Sequence, residues 1–249
     1  MAALKNLDAY KLKCIAIIAM VLNHIAIAWW EIIPLKLAFP LYAAGGLTFP
    51  IMGFFVVEGY KHTHNLKRYI FRIVVAGLIA LPFHYLTIGL ALGPSLNIMF
   101  TIALSLGVLV MYDKIQSRIL FGLIYVFLIV PVSLVFEWSF IGVSMVLLFY
   151  IIKDENKRRT LPPVCAVLLG VFYSIIFMIP GVVSEIRGLA ADPDFEAVNV
   201  TFLLGMFLAS ILLRNFNGER GKEAKWLFYV FYPLHLAVLA AVAMALGLQ

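Results

Sequence analysis

Charge is what this sequence has least of. Asp, Glu, Lys and Arg make up only 13% of its 249 residues, 64% are hydrophobic, and mean hydropathy is +1.03. Apolar runs of bilayer length, about 20 residues, recur along the whole chain. That combination excludes a soluble domain and predicts a polytopic integral membrane protein. Alternating ten-residue segments are also missing, which excludes a membrane β-barrel and leaves a helix bundle, because lipid forces backbone polar groups to pair internally. Cysteine is scarce: Cys14 and Cys165 lie inside apolar segments and offer neither a disulfide framework nor a metal motif. They read as small buried hydrophobes. No internal repeat, low-complexity tract or long polar linker is present, so residues 1–249 read as one membrane domain. The first apolar run is long, has no small-residue cleavage site and precedes further spans, and is expected to be retained.

About nine spans are expected, near 12–30, 37–59, 70–89, 97–112, 118–136, 138–152, 161–180, 198–213 and 225–246. Lys and Arg alternate with them. All but Lys36 and Arg187 of the 19 fall on one side, and the opposite loop "EIRGLAADPDFE" is acidic. The positive-inside rule then places the N-terminus in the cytoplasm. This asymmetry accounts for the net charge of +6, which is not a nucleic-acid signal.

In a bilayer the informative residues are the polar ones, since an ionisable group within a span costs roughly 2.5–3.5 kcal/mol on insertion scales. His24, His84 and His235 each lie about 10–12 residues into their spans, roughly 15–18 Å from the basic edge. Each either ties two helices together through a hydrogen bond or handles protons. Asn23 adjoins His24. Lys13 precedes His24 by eleven residues, about three turns, so both lie on one helix face. That face runs from a rim cation to a mid-membrane imidazole. Lys13 is either part of such a line or a snorkelling anchor. After span two, Glu58, Lys61, His62, His64, Lys67 and Arg68 form either a solvated basic loop or a phosphate-docking site in which Glu58 orients a basic partner. The His-x-His pair lacks ligands at metal spacing. Gly45, Gly46 and Pro50 allow either close helix contact or a broken helix. Asn97 and Thr101 share a face and read as a cap plus an interhelical bond. Glu137 and Trp138 are expected at the outer interface, with Trp138 as an anchor.

The pattern "MVLNHI", then "LTFPIMGFFVVEGYKHTHN", "NIMFT" and a terminal "FYPLHL" resembles the TraX family of bacterial membrane proteins over nearly the whole chain. The resemblance implies a multi-pass protein of the bacterial inner (cytoplasmic) membrane that moves an acetyl group from acetyl-CoA, as in pilin acetylation. It implies that His24 is the catalytic histidine, that Glu58, Gly59, His62 and Asn65 belong to a central motif, and that Tyr232, Pro233 and His235 belong to a terminal one. The family pattern has Asp where this chain has Asn23.

The expected activity is acetyl transfer from cytoplasmic acetyl-CoA to an amine or hydroxyl acceptor. Lys13, Lys61, Lys67 and Arg68 would hold nucleotide phosphates. His24, aided by Asn23, would act as general base or as an acetyl-carrying nucleophile. His235 or Tyr232 would donate to the oxyanion. A small transporter or lipid flippase with proton-relay histidines is the competing class, and a structural subunit is a third. The partners expected are membrane lipid, acetyl-CoA and one acceptor.

Overall fold

Where the sequence is apolar without a two-residue period the chain coils into helices. The computed structural model describes residues 7–89, 95–177, 193–223 and 225–247, and these hold helices with two isolated β-bridges and no strand. In chain order the helices are α1 (Ala9–Ala28), α2 (Leu35–His62), α3 (Leu66–His84) running into a π turn over Tyr85–Gly89, and α4 (Ile98–Lys114). Then come α5 (Arg118–Ile124), a second π turn (Tyr125–Ile129), α6 (Val130–Ser133), α7 (Ser139–Ile151) and the short α8 (Glu155–Arg159). The last three are α9 (Leu161–Phe177), α10 (Pro193–Arg214) and α11 (Lys225–Ala245).

Side-chain caps set the starts. Asp8 accepts from the Lys11 amide at 2.8 Å, Asn65 from Arg68 at 2.9 Å and Asp154 from Lys157 at 2.8 Å, each satisfying a donor that the first turn leaves unpaired. Four segments are long and apolar enough to cross a bilayer: Ala9–Ala28, Leu35–His62, Leu66–Gly89 and Phe228–Ala245. Four more apolar helices are shorter, Arg118–Ser133, Ser139–Ile151, Leu161–Val171 and Val200–Arg214. The acidic loop with Arg187 that contributed to the expected topology lies mostly outside the described residues.

The outside of the bundle is apolar and the inside partly polar. Ile119 is 79% exposed and Phe127 75%, whereas His84, Asn97, Thr101 and Ser105 are wholly buried. In water that distribution would be reversed; in lipid it is the one that keeps polar groups out of the hydrocarbon.

α2 is the centre. It packs on α1, α7 and α10. The Gly45–Gly46 pair does not break it: the helix runs through both glycines and through Pro40 and Pro50. Its glycines serve close approach instead. A Cβ on Gly46 would collide with the Phe202 carbonyl, and one on Gly205 with the Ala43 carbonyl, so α2 and α10 cross backbone to backbone. α11 packs along α3 and touches α1. The first π turn, at the end of α3, touches both α1 and α11.

Candidate functional site

Three helices far apart in sequence deliver the histidines to one place. His24 on α1 and His235 on α11 touch, with His24 Nδ1 2.9 Å from His235 Nε2 and the rings nearly coplanar, edge to edge, with centroids 5.2 Å apart and an interplanar angle of 14°. Both are buried. His84, the last residue of α3 before the π turn, lies near enough to His24 to interact with it electrostatically. Its Nε2 faces Ser95 Oγ at 3.4 Å, and its Nδ1 has no partner among the described residues. His24 is four residues from the end of α1, so it sits nearer the end opposite the basic rim than mid-span counting suggests.

Around the pair, Tyr232 sets its ring edge-on to His235 at 5.4 Å. Its hydroxyl is buried without a hydrogen-bond partner among the described residues, close to the Ile98 amide and the Glu137 carboxylate. Glu137 accepts from the Ile98 amide at 2.9 Å, capping α4. Burial pushes its carboxyl from the usual 4.5 up to about 7, with the Ile98 bond opposing. Trp138 and Ser139 hold φ values of 64° and 45°, uncommon for residues with side chains. That turn sets Trp138, half-buried, on Phe49 at 4.8 Å and against Phe202 at 5.0 Å, so it packs against the core. Asn97 caps α4 and donates to the Gly77 carbonyl at 2.9 Å, while Thr101 donates to the Glu137 carbonyl, the cap and interhelical bond expected of that pair.

Asn23 points elsewhere. It lies against α2 where Gly45 has no side chain, and its Nδ2 has no partner among the described residues. Beside His84 an apolar groove of about 570 Å³ runs between the π turn and the start of α4, lined by Leu78, Pro82, Tyr85, Ser95, Leu96 and Val135.

The basic end is organised by contacts that sequence reading does not supply. Glu58 is paired with Arg158 at 2.5 Å and Lys61 at 3.5 Å. Arg158 is buried, with its guanidinium 4.3 Å above the Phe54 ring. In sequence it is one cation in the run "KDENKRRT", with nothing to single it out. His62 Nδ1 meets the Glu58 carbonyl at 2.8 Å one turn back, and Asn65 is the cap of α3. Both therefore finish helix ends, and Lys67 and Arg68 stand exposed beside them. Asp113 accepts from Tyr60 at 2.6 Å and Tyr150 at 2.7 Å, tying α2, α4 and α7 together.

Lys13 is different. It has no carboxylate within ion-pair distance among the described residues and sits over two rings, Phe55 at 5.0 Å and Phe228 at 5.6 Å. Arg72 on α3 rests by Tyr229 of α11 at 5.8 Å, with a buried Nε that has no partner among the described residues. Lys13 and Arg72 thus flank α11 at the basic end, and His24 and His84 lie farther along the same two helices. A cation-to-imidazole line along α1, α3 and α11 results, roughly 16–18 Å long at 1.5 Å per residue. Among the described residues no group of histidine, cysteine and carboxylate side chains is arranged to hold a metal ion.

A family model described as TraX protein matches residues 8–243. A probable fimbrial assembly protein, FimC of serogroup H1, from Dichelobacter nodosus is 29% identical over 265 residues, covering 97% of this chain and 99% of its own. No solved structure matches. With nearly its whole length inside one family pattern, the chain belongs to the TraX family.

Proposed function

We propose that this protein is an integral membrane acetyltransferase of the bacterial inner membrane, with its basic end in the cytoplasm and about nine crossings, several of them short. The observation that carries this reading is the buried His24–His235 pair at one end of a line that starts at two cations without acidic partners among the described residues. Acetyl-CoA suits that line: phosphates at Lys13 and Arg72, and the thin pantetheine arm along α1 and α11 toward His24. A half-buried cation with no counter-ion is poised for an anionic ligand.

The acceptor nitrogen or oxygen attacks the acetyl carbonyl carbon, and the carbon–sulfur bond breaks. The acceptor's proton goes to His24 and then to the departing thiolate, giving an amide or ester and free CoA thiol. The Tyr232 hydroxyl, which donates to no partner among the described residues, donates to the oxyanion of the intermediate. The acceptor reaches the site from the end opposite the basic rim, past Ser95 and His84. The fimbrial name of the relative favours a pilin-like N-terminus as that acceptor. The test is purified protein in detergent, incubated with labelled acetyl-CoA and candidate acceptors. Wild type transfers label and His24→Ala loses about 10²–10⁴-fold, the usual worth of a general base. Unchanged transfer by the variant would sink the assignment.

A further inference from the structure

We infer that His235 is a positioning residue that locks the tautomer of His24, so that His24 Nε2 is the lone pair facing substrate. The inference stands on hydrogen-bond geometry and gives a role to a residue placed in the acetyl-transfer site proposed above. His235 Nδ1 lies 3.1 Å from the Phe231 carbonyl oxygen. A carbonyl only accepts, so His235 carries its proton on Nδ1 and donates it there. The ion pairs among the described residues join Lys and Arg to Asp and Glu and include neither ring, and a buried imidazolium without a counter-ion is unfavourable, so both rings are taken as neutral. His235 Nε2 is then a lone pair. It faces His24 Nδ1 at 2.9 Å, and a bond forms there only if His24 donates. His24 therefore holds its proton on Nδ1. Its Nε2 is left with a lone pair and no partner among the described residues.

The rings meet edge to edge. With Nδ1 and Nε2 2.9 Å apart, centroids at 5.2 Å and an interplanar angle of 14°, His24 and His235 are nearly coplanar, as a straight N–H···N bond requires, and Phe231 lies parallel to His235 at 5.3 Å. Since its Nε2 is occupied as an acceptor, His235 is not the oxyanion donor expected from sequence, and that role falls to Tyr232. When a proton arrives on His24 Nε2, the Nδ1–H already points at His235 Nε2, so one added proton is shared across two rings and passed back with no rearrangement. The arrangement does with a neutral ring what a carboxylate does in a Ser–His–Asp triad.

The test is nitrogen-15 NMR of histidine-labelled protein in lipid nanodiscs, with the five histidines told apart by single substitution. Native protein is expected to show His24 and His235 both protonated on Nδ1 and bare on Nε2. A proton on His24 Nε2 in the native protein overturns the inference, whether or not acetyl transfer is ever detected. Two variants extend the test. His235→Gln keeps an acceptor oxygen and is expected to retain the His24 Nδ1–H form. His235→Leu removes the acceptor and is expected to shift His24 toward Nε2–H and to lower transfer roughly 10–100-fold, the usual worth of a group that orients an imidazole. Equal tautomer populations in the two variants would also overturn it. Loss of transfer in His235→Leu with His24 still Nδ1–H would assign His235 to chemistry and refute the positioning role.

Discussion

Removing the buried guanidinium of Arg158 tests whether the Glu58 motif is held for structure. At about 4 Å between charge centres the pair is worth about 4 kcal/mol in an effective dielectric of 20. Desolvation of Arg158, only 5% exposed at its side chain, offsets much of that; Glu58, at 28%, keeps some water. A net coupling of about 1.5–3 kcal/mol remains, the range for hydrogen bonds to charged groups. Arg158→Met keeps the contact with Phe54 while deleting the charge. Glu58→Gln keeps the shape while deleting the other. A double-mutant cycle by thermal unfolding in detergent isolates the interaction. Each single change should lower Tm by roughly 3–12 °C, taking 2–4 °C per kcal/mol for a chain of this size. The double variant should be little worse than either one. If the two effects add, so that coupling falls below about 0.5 kcal/mol, Glu58 and Arg158 do not depend on one another and the reasoning fails. Glu58 would then be free to act as a ligand group.

Other consequences follow from the same contacts. Gly46→Val should separate α2 from α10 and destabilise by about 3 kcal/mol or more, as overpacking at an unyielding backbone does; Gly107→Val, whose added Cβ meets nothing within 4 Å, is the control. Glu137 binds its proton more tightly folded than unfolded, so its contribution is full below about 4.5 and is lost as pH rises toward about 7. Unfolding midpoints between those pH values should fall with rising pH, and Glu137→Gln should flatten the profile. Lys13→Gln and Arg72→Gln should each raise KM for the acyl donor about tenfold while leaving kcat within twofold, the signature of uniform binding; a fall in kcat alone would remove both from the donor site.

Part of this is legible in the sequence. Long apolar runs dictate helices, and His24 and His235 stand out as polar groups well inside their spans, but not as partners, since they lie 15 and 10 residues from the starts of their helices. Partner identity was not legible. Nothing in the run "KDENKRRT" says that Arg158 is buried or that Glu58, a hundred residues earlier, waits there, and a charge run looks alike whether solvated or locked. Asn65 and His62 read as site residues because they sit in a motif, yet they close helix ends, which a motif records equally well. The inward contacts of Trp138 are not legible, because two successive left-handed residues, neither of them glycine, leave no signature in composition.

Asn23 and Gly45 carry a consequence beyond their contact. The missing Cβ of Gly45 is a slot and the Asn23 side chain fills it, which fixes the rotational phase of α1 about its own axis. One residue along a helix is a rotation of about 100°. With Asn23 keyed against α2, residue 24 is aimed at α11 and nowhere else. The volume at 45 and the side chain at 23 are therefore a single variable, and through them a helix contact that touches neither ring of the histidine pair sets its aim.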